Sequence, residues 1–123
     1  FEKRFEEFKS YGDDHVICVI EDVASSKIVA TGSVFIEKKF VRNCGKVGHI
    51  EDVVVDSSAR GLQLGKKVVG FLADHARLTG CYKIFVMLIY IIVHLCFLTS
   101  VIKQGSRFYC FIGSSILKLH VKN

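Results

Sequence analysis

The residues of this 123-residue chain best suited to hold an anion lie between an apolar run at 49–55 and a helical repeat that starts at Leu64. Arg60, Gly61, Gly65, Lys66 and Lys67 place two glycines and three cations in one turn. The first N–H groups of a helix have no intrahelical acceptor and stand at the positive end of its dipole, so a turn of this kind is a ready phosphate site. Gly61 and Gly65 let the backbone come close to a phosphate. The dinucleotide pattern GxGxxG and the nucleotide pattern GxxxxGK[ST] are both absent. A plain strand-to-helix turn with a solvated lysine pair has the same spacing, and spacing alone leaves the two readings level. The second group is Glu51-Asp52, set inside His49-Ile50-Glu51-Asp52-Val53-Val54-Val55. Unpaired carboxylates are costly to bury, so two adjacent acids here read as facing a ligand, with an edge or bulge that exposes one acid as the structural alternative.

The elements that would position these groups follow from periodicity. Residues 1–10 carry Phe1, Phe5 and Phe8 at helical spacing, one apolar stripe on a helix that the chain enters without a cap, so it reads as cut at the front. Tyr11-Gly12-Asp13-Asp14 ends that helix. Residues 15–20 and 27–37 are β-branched runs and predict an antiparallel hairpin. Residues 38–48 are basic and glycine-containing and predict a loop. The run 49–55 predicts a third strand buried on both faces. Leu64, Val68, Phe71, Leu72, His75 and Leu78 predict a helix closed by Gly80, and Cys81 opens a fourth strand. A strand, turn, helix and returning strand make a crossover, which requires the third and fourth strands to be parallel.

Composition narrows the class. Half of the residues are hydrophobic, enough for a core and too many for a disordered or low-complexity chain. The length favours one domain, 1–123. Five cysteines, an odd number without a CxxC pair, argue against a disulfide framework or a metal site and for a reducing compartment. The net charge of +5 is unevenly spread: all 12 acids lie in residues 1–83, beside 13 of the 17 Lys and Arg. The basic excess therefore belongs to the last segment, and a nucleic-acid partner is not expected.

Arg60-Gly61-x-Gln63-x-Gly65 after a strand resembles the pyrophosphate loop of the GNAT acetyltransferase superfamily, Arg/Gln-x-x-Gly-x-Gly/Ala, with Gln63 in place of the central glycine. That variant, with the preceding run 50–55, is similar to the glucosamine 6-phosphate N-acetyltransferase family, its plant members above all. The similarity extends through residues 12–21, 36–40, 42–46 and 80–83, and covers residues 1–84. It implies an α/β fold: a GNAT-type central mixed β-sheet flanked by helices. It also implies N-acetylation of D-glucosamine 6-phosphate by acetyl-CoA, in UDP-N-acetylglucosamine biosynthesis, without a metal. The family forms homodimers that share the sugar site, and a cytoplasmic location, or the cytosolic face of the endoplasmic reticulum membrane, is expected.

Residue by residue, the resemblance implies that Arg60, Gly61, Leu62, Gln63, Leu64, Gly65 and Lys66 hold the pyrophosphate of the cofactor. Val53 would present backbone to the acetyl group and pantetheine arm. Glu51 and Asp52 would be the catalytic pair that orients the amine. Lys39, Phe40, Val41 and Arg42, together with Glu51, Asp52 and Val53, would bind the sugar phosphate. The amine then attacks the thioester directly, and backbone N–H groups stabilise the oxyanion.

The resemblance stops after Ile84. The family's next strand with its Asp-Cys pair, and a later Phe-Tyr-x-x-x-Gly helix, have no counterpart in residues 85–123. A spliced or mispredicted coding sequence is the expectation for that segment, with a catalytically impaired product that keeps only the cofactor loop as the alternative function. The strand at Tyr82 would then pair only through its first residues. Residues 84–102 hold no Asp, Glu, Lys or Arg, long enough for a membrane span, which ranks below a buried strand.

Overall fold

The computed structural model describes residues 1–87 together with the backbone of 106–112 and 115–119. β1 (His15–Asp22) and β2 (Lys27–Lys38) form the expected hairpin, in register from His15 opposite Phe35 to Ile20 opposite Ala30. Strict alternation sends Val16, Cys18 and Ile20 to the same face as Ala30, Val34 and Ile36, and all six are buried. β2 pairs antiparallel with β3 (Lys46–Val55), and β3 pairs parallel with β4 (Cys81–Val86). The backbone of β5 (Ser106–Ile112) and β6 (Ser115–Leu119) adds an antiparallel hairpin to the other edge of β1, giving a mixed sheet ordered β4-β3-β2-β1-β5-β6.

Among the described residues the sheet is accompanied by α1 (Glu2–Ser10), the four-residue α2 (Val41–Cys44) and α3 (Leu64–Leu78). α3 is the crossover between β3 and β4, and it lies mainly on β2 and β3. Its buried stripe is Leu64, Val68, Leu72 and Ala76, which meets the apolar face of the hairpin in one core. Full burial of an aliphatic side chain of this size is worth about 1.5–3 kcal/mol. Gly80, at φ +84, closes the helix as its spacing predicts, with its N–H on the carbonyl of Arg77.

Several expectations are corrected. Leu78 is 88% exposed, because the stripe follows a four-residue step to Ala76 and turns Leu78 away from the sheet. β3 begins at Lys46, not His49: Gly48 passes so close beneath Ala76 that a Cβ would lie 2.9 Å from it, and the glycine is a packing residue instead of a loop signal. β3 is buried only in its first half, since Glu51, Asp52 and Val54 are exposed. The phenylalanine stripe of α1 buries nothing fully; Phe1 stacks on Phe5 in solvent, while Phe8 meets His15 edge-on at 4.5 Å on the face opposite α3. β4 pairs with β3 from Cys81 to Val86 with a shift of register at Tyr82, and the N–H of Met87 reaches the carbonyl of Ile50 at 2.8 Å. The continuation of this strand, to which the expectation of partial pairing refers, lies outside the described residues. No described helix is long and apolar enough to cross a membrane, and the charge-free run beyond Met87 lies outside the described residues.

Candidate functional site

The pairing of β2 with β3 slips between Thr31 and Ser33, so that Gly32 stands opposite two residues, Asp52 and Val53. This is a β-bulge, and Asp52 takes the left-handed conformation at φ +55. A left-handed backbone costs a non-glycine residue about 1–2 kcal/mol, and Asp tolerates it better than most. Glu51 and Asp52 are both exposed, and neither forms an ion pair among the described residues. Both acids, and not one alone, are therefore offered to solvent. On the β4 side the pairing of β3 ends at Ile50 opposite Val86, and among the described residues no strand continues it. Among the described residues the main chain of residues 51–55 thus has no strand on that side, beside the two carboxylates.

Beyond that stretch the chain enters the anion-site turn. Asp56 accepts from the N–H of Ser58 at 2.8 Å and from its hydroxyl, which holds the Asp56 carboxyl below the usual carboxylate range and caps the short turn 57–59. Gly61 has φ +83 and Gln63 φ +55, and α3 begins at Leu64 with Lys67 N–H as its first donor, to Gln63 at 3.2 Å. The N–H groups of Leu64, Gly65 and Lys66 consequently have no acceptor within the helix. A Cβ on Gly61 would meet nothing within 4 Å, and one on Gly65 only Val55 at 3.5 Å, so space for a ligand lies over both. Arg60 and Lys66 are exposed and Lys67 half-buried. Leu62 and Leu64 differ from the rest of this group: Leu64 is buried in the core and Leu62 packs against it.

The segment 39–42 is a separate construction at the other end of β3. Lys39 N–H donates to the carbonyl of Gly45 at 2.8 Å, and Gly45 N–H to that of Val41 at 3.1 Å, closing a tight turn. Arg42, Asn43 and Cys44 all have φ near +55, which makes α2 a left-handed turn of three non-glycine residues. Strain of this kind collects at ligand-binding segments. Phe40 is 98% exposed and Val41 exposed, so neither is a packing residue. The Lys39 ammonium is paired with Glu37, whose other oxygen lies 2.9 Å from His49 Nε2, and the Lys39 and His49 bonds hold Glu37 below its ordinary pKa. Arg42 has no carboxylate partner among the described residues; its guanidinium stands 5.9 Å from the ring centre of Tyr82.

The structure thus brings Glu51, Asp52 and Val53 into line with the turn 60–66, and does not bring Lys39–Arg42 to them. From Lys46 to Asp52 is six residues of strand, roughly 20 Å at about 3.3 Å per residue. Two participants escape a reading of residue types. His15 is half-buried beside Phe8 and Phe35; burial lowers its pKa, against the opposing pull of Asp52 and Glu51. Tyr82 gave no signal beyond its place after the helix-closing glycine. Among the described residues no cluster of His, Cys, Asp or Glu could hold a metal.

The chain has relatives of known kind. Glucosamine 6-phosphate N-acetyltransferase of Arabidopsis thaliana is 74% identical over 84 residues, 68% of this chain and 56% of that protein. Glucosamine 6-phosphate N-acetyltransferase 1 of Oryza sativa is 52% identical over 86 residues, 70% of this chain and 52% of that protein. The chain therefore spans about half the length of these curated relatives. The crystal structure of the Arabidopsis thaliana glucosamine-6-phosphate N-acetyltransferase superposes with a TM-score of 0.69 at 71% identity, over 70% of this chain and 58% of that one. The model of the acetyltransferase (GNAT) family matches residues 1–90. By fold, by the glycine-bearing turn after the bulged strand and by this match, the chain belongs to the acetyltransferase (GNAT) family.

Proposed function

We propose that the chain acetylates the amine of glucosamine 6-phosphate with acetyl-CoA, a step toward UDP-N-acetylglucosamine on the cytosolic side of the cell. The observation that carries the reading is the stretch of β3, residues 51–55, that no described strand pairs with on the β4 side and that leads through the turn 56–63 to the N-terminus of α3. GNAT enzymes use acetyl-CoA, which supplies an activated thioester. The residues present fit it: the N–H groups of Leu64, Gly65 and Lys66, with space over Gly61 and Gly65 and charge from Arg60, suit its pyrophosphate. Val53 offers main chain to the pantetheine arm, and N–H groups along that stretch stabilise an oxyanion. Glu51 and Asp52, both exposed, accept hydrogen bonds from the sugar amine and orient it.

The amino sugar is proposed from the names of the relatives, and its phosphate from Arg42, whose charge no carboxylate among the described residues cancels. Because Arg42 lies far along β3 from Asp52, a complete site is best met by a homodimer in which the 39–42 turn of one copy reaches the carboxylates of the other. The test is thiol release from acetyl-CoA by the full chain, with glucosamine 6-phosphate and with glucosamine as acceptors. Turnover that prefers the phosphorylated sugar supports the reading, and release no faster than the uncatalysed rate overturns it.

A further inference from the structure

The geometry points to Tyr82 as the positioning residue that presents Arg42 to a phosphate, and so as a determinant of selection for the phosphorylated sugar. This rests on the reading of Arg42 above. Arg42 lies in a left-handed turn and has no carboxylate to fix its long side chain among the described residues. What it has instead is the ring of Tyr82 at the start of β4, 5.9 Å from the guanidinium carbon, within the range of a cation–π contact. An aromatic face orients a guanidinium and leaves its N–H fork free, whereas a carboxylate would occupy the fork that a phosphate needs.

Gly45 shows that the contact is built into the turn. A Cβ there would lie 2.7 Å and 2.8 Å from two carbons of the Tyr82 ring and 3.1 Å from the carbonyl oxygen of Arg42. Gly45 itself has φ −68 and ψ 169, which any residue adopts. The glycine is therefore required by the ring and not by the backbone: it lets Tyr82 lie flat against the turn that carries Arg42. Parallel pairing of Lys46 with Cys81 brings the two segments side by side.

The experiment is titration calorimetry of the full chain with glucosamine 6-phosphate, glucosamine and CoA. Tyr82→Leu should weaken glucosamine 6-phosphate about two- to fivefold, the effect of an exposed cation–π contact, and leave glucosamine and CoA unchanged. Tyr82→Phe should retain the original affinity, because the ring face and not the hydroxyl meets Arg42. Gly45→Ala should mimic Tyr82→Leu, and in the Arg42→Ala background neither should have a further effect. Equal losses for glucosamine, a Phe variant as weak as the Leu variant, or an undiminished effect without Arg42 would each overturn the proposal. A chain that binds CoA but not glucosamine 6-phosphate overturns the amino-sugar reading instead. The same variants are then read with inorganic phosphate, and indifference of phosphate binding to Tyr82 overturns the positioning role by itself.

Discussion

Val68 of α3 rests directly on the backbone of Gly32 in β2: a Cβ on the glycine would lie 2.6 Å from its Cγ1, and 3.2 Å from Leu72 Cδ1 and from Val53 Cγ2. Helix, sheet and bulge meet at this one point. Gly32→Ala should therefore overpack the core and destabilise the chain by about 1–3 kcal/mol, measured by urea unfolding. The loss should shrink in a Val68→Ala background, where the nearest obstacle has gone; equal losses in both backgrounds would place the strain elsewhere.

Gly65→Asp should abolish CoA binding while the fold persists. The added Cβ meets only Val55 at 3.5 Å, an ordinary contact, so the damage is the negative charge at a helix N-terminus where a pyrophosphate must approach. Gly61→Ala acts differently: at φ +83 it costs about 1–2 kcal/mol of backbone strain. Calorimetry with CoA beside thermal unfolding separates the two. Undiminished CoA affinity in Gly65→Asp would remove the turn from the cofactor site.

Arg42→Ala should weaken glucosamine 6-phosphate much more than glucosamine, by about 1.5–3 kcal/mol, or one to two decades in affinity. Only the phosphorylated sugar has a group for a guanidinium. Parallel losses for both sugars would show that Arg42 supports the turn and not the phosphate.

His15 makes stability depend on pH below neutrality. Burial holds its pKa under the ordinary 6.5, so the unfolded chain takes up the proton first as pH falls. The stability it contributes is present above 6.5, is lost as the pH falls through 6.5 toward the folded value, and changes no further below that. His15→Phe keeps a ring against Phe8 and Phe35 and removes the titration. Urea unfolding between about pH 7 and pH 5 should show a flatter slope in the variant; identical slopes would exclude His15 as the source.

Local periodicity made the hairpin, α3 and the parallel crossover legible, because alternation and a near-four-residue step are properties of contiguous residues. Elements set by distant neighbours were not legible. Lys46-Val47-Gly48 has the composition of a loop and becomes strand through its pairing with β2 on one side and β4 on the other, its glycine fitting beneath Ala76. Asp52, Arg42, Asn43 and Cys44 adopt left-handed backbone that non-glycine residue types do not announce. At the site, the turn 60–66 could be read from two glycines before a helical repeat. The contact of Glu37 with His49 across β2 and β3, and the approach of Tyr82 to Arg42, depend on strand register, which residue type does not encode.

The extra residue in β3 also sets the parity of everything that follows it. Ile50 points toward α3, and uninterrupted alternation would send Val53 and Val55 outward and Val54 inward. The bulge reverses this: Val53 and Val55 pack on the core, and Val54 is 59% exposed. A strand carries inside-outside information modulo two, so deleting a single residue at 52 or 53 would invert the last stretch before the turn 60–63 and rotate Arg60 and Gly61 with it. Removing two residues would preserve the parity and only shorten the reach. The glycine-bearing turn before α3 thus takes its orientation from a single odd residue inside the strand.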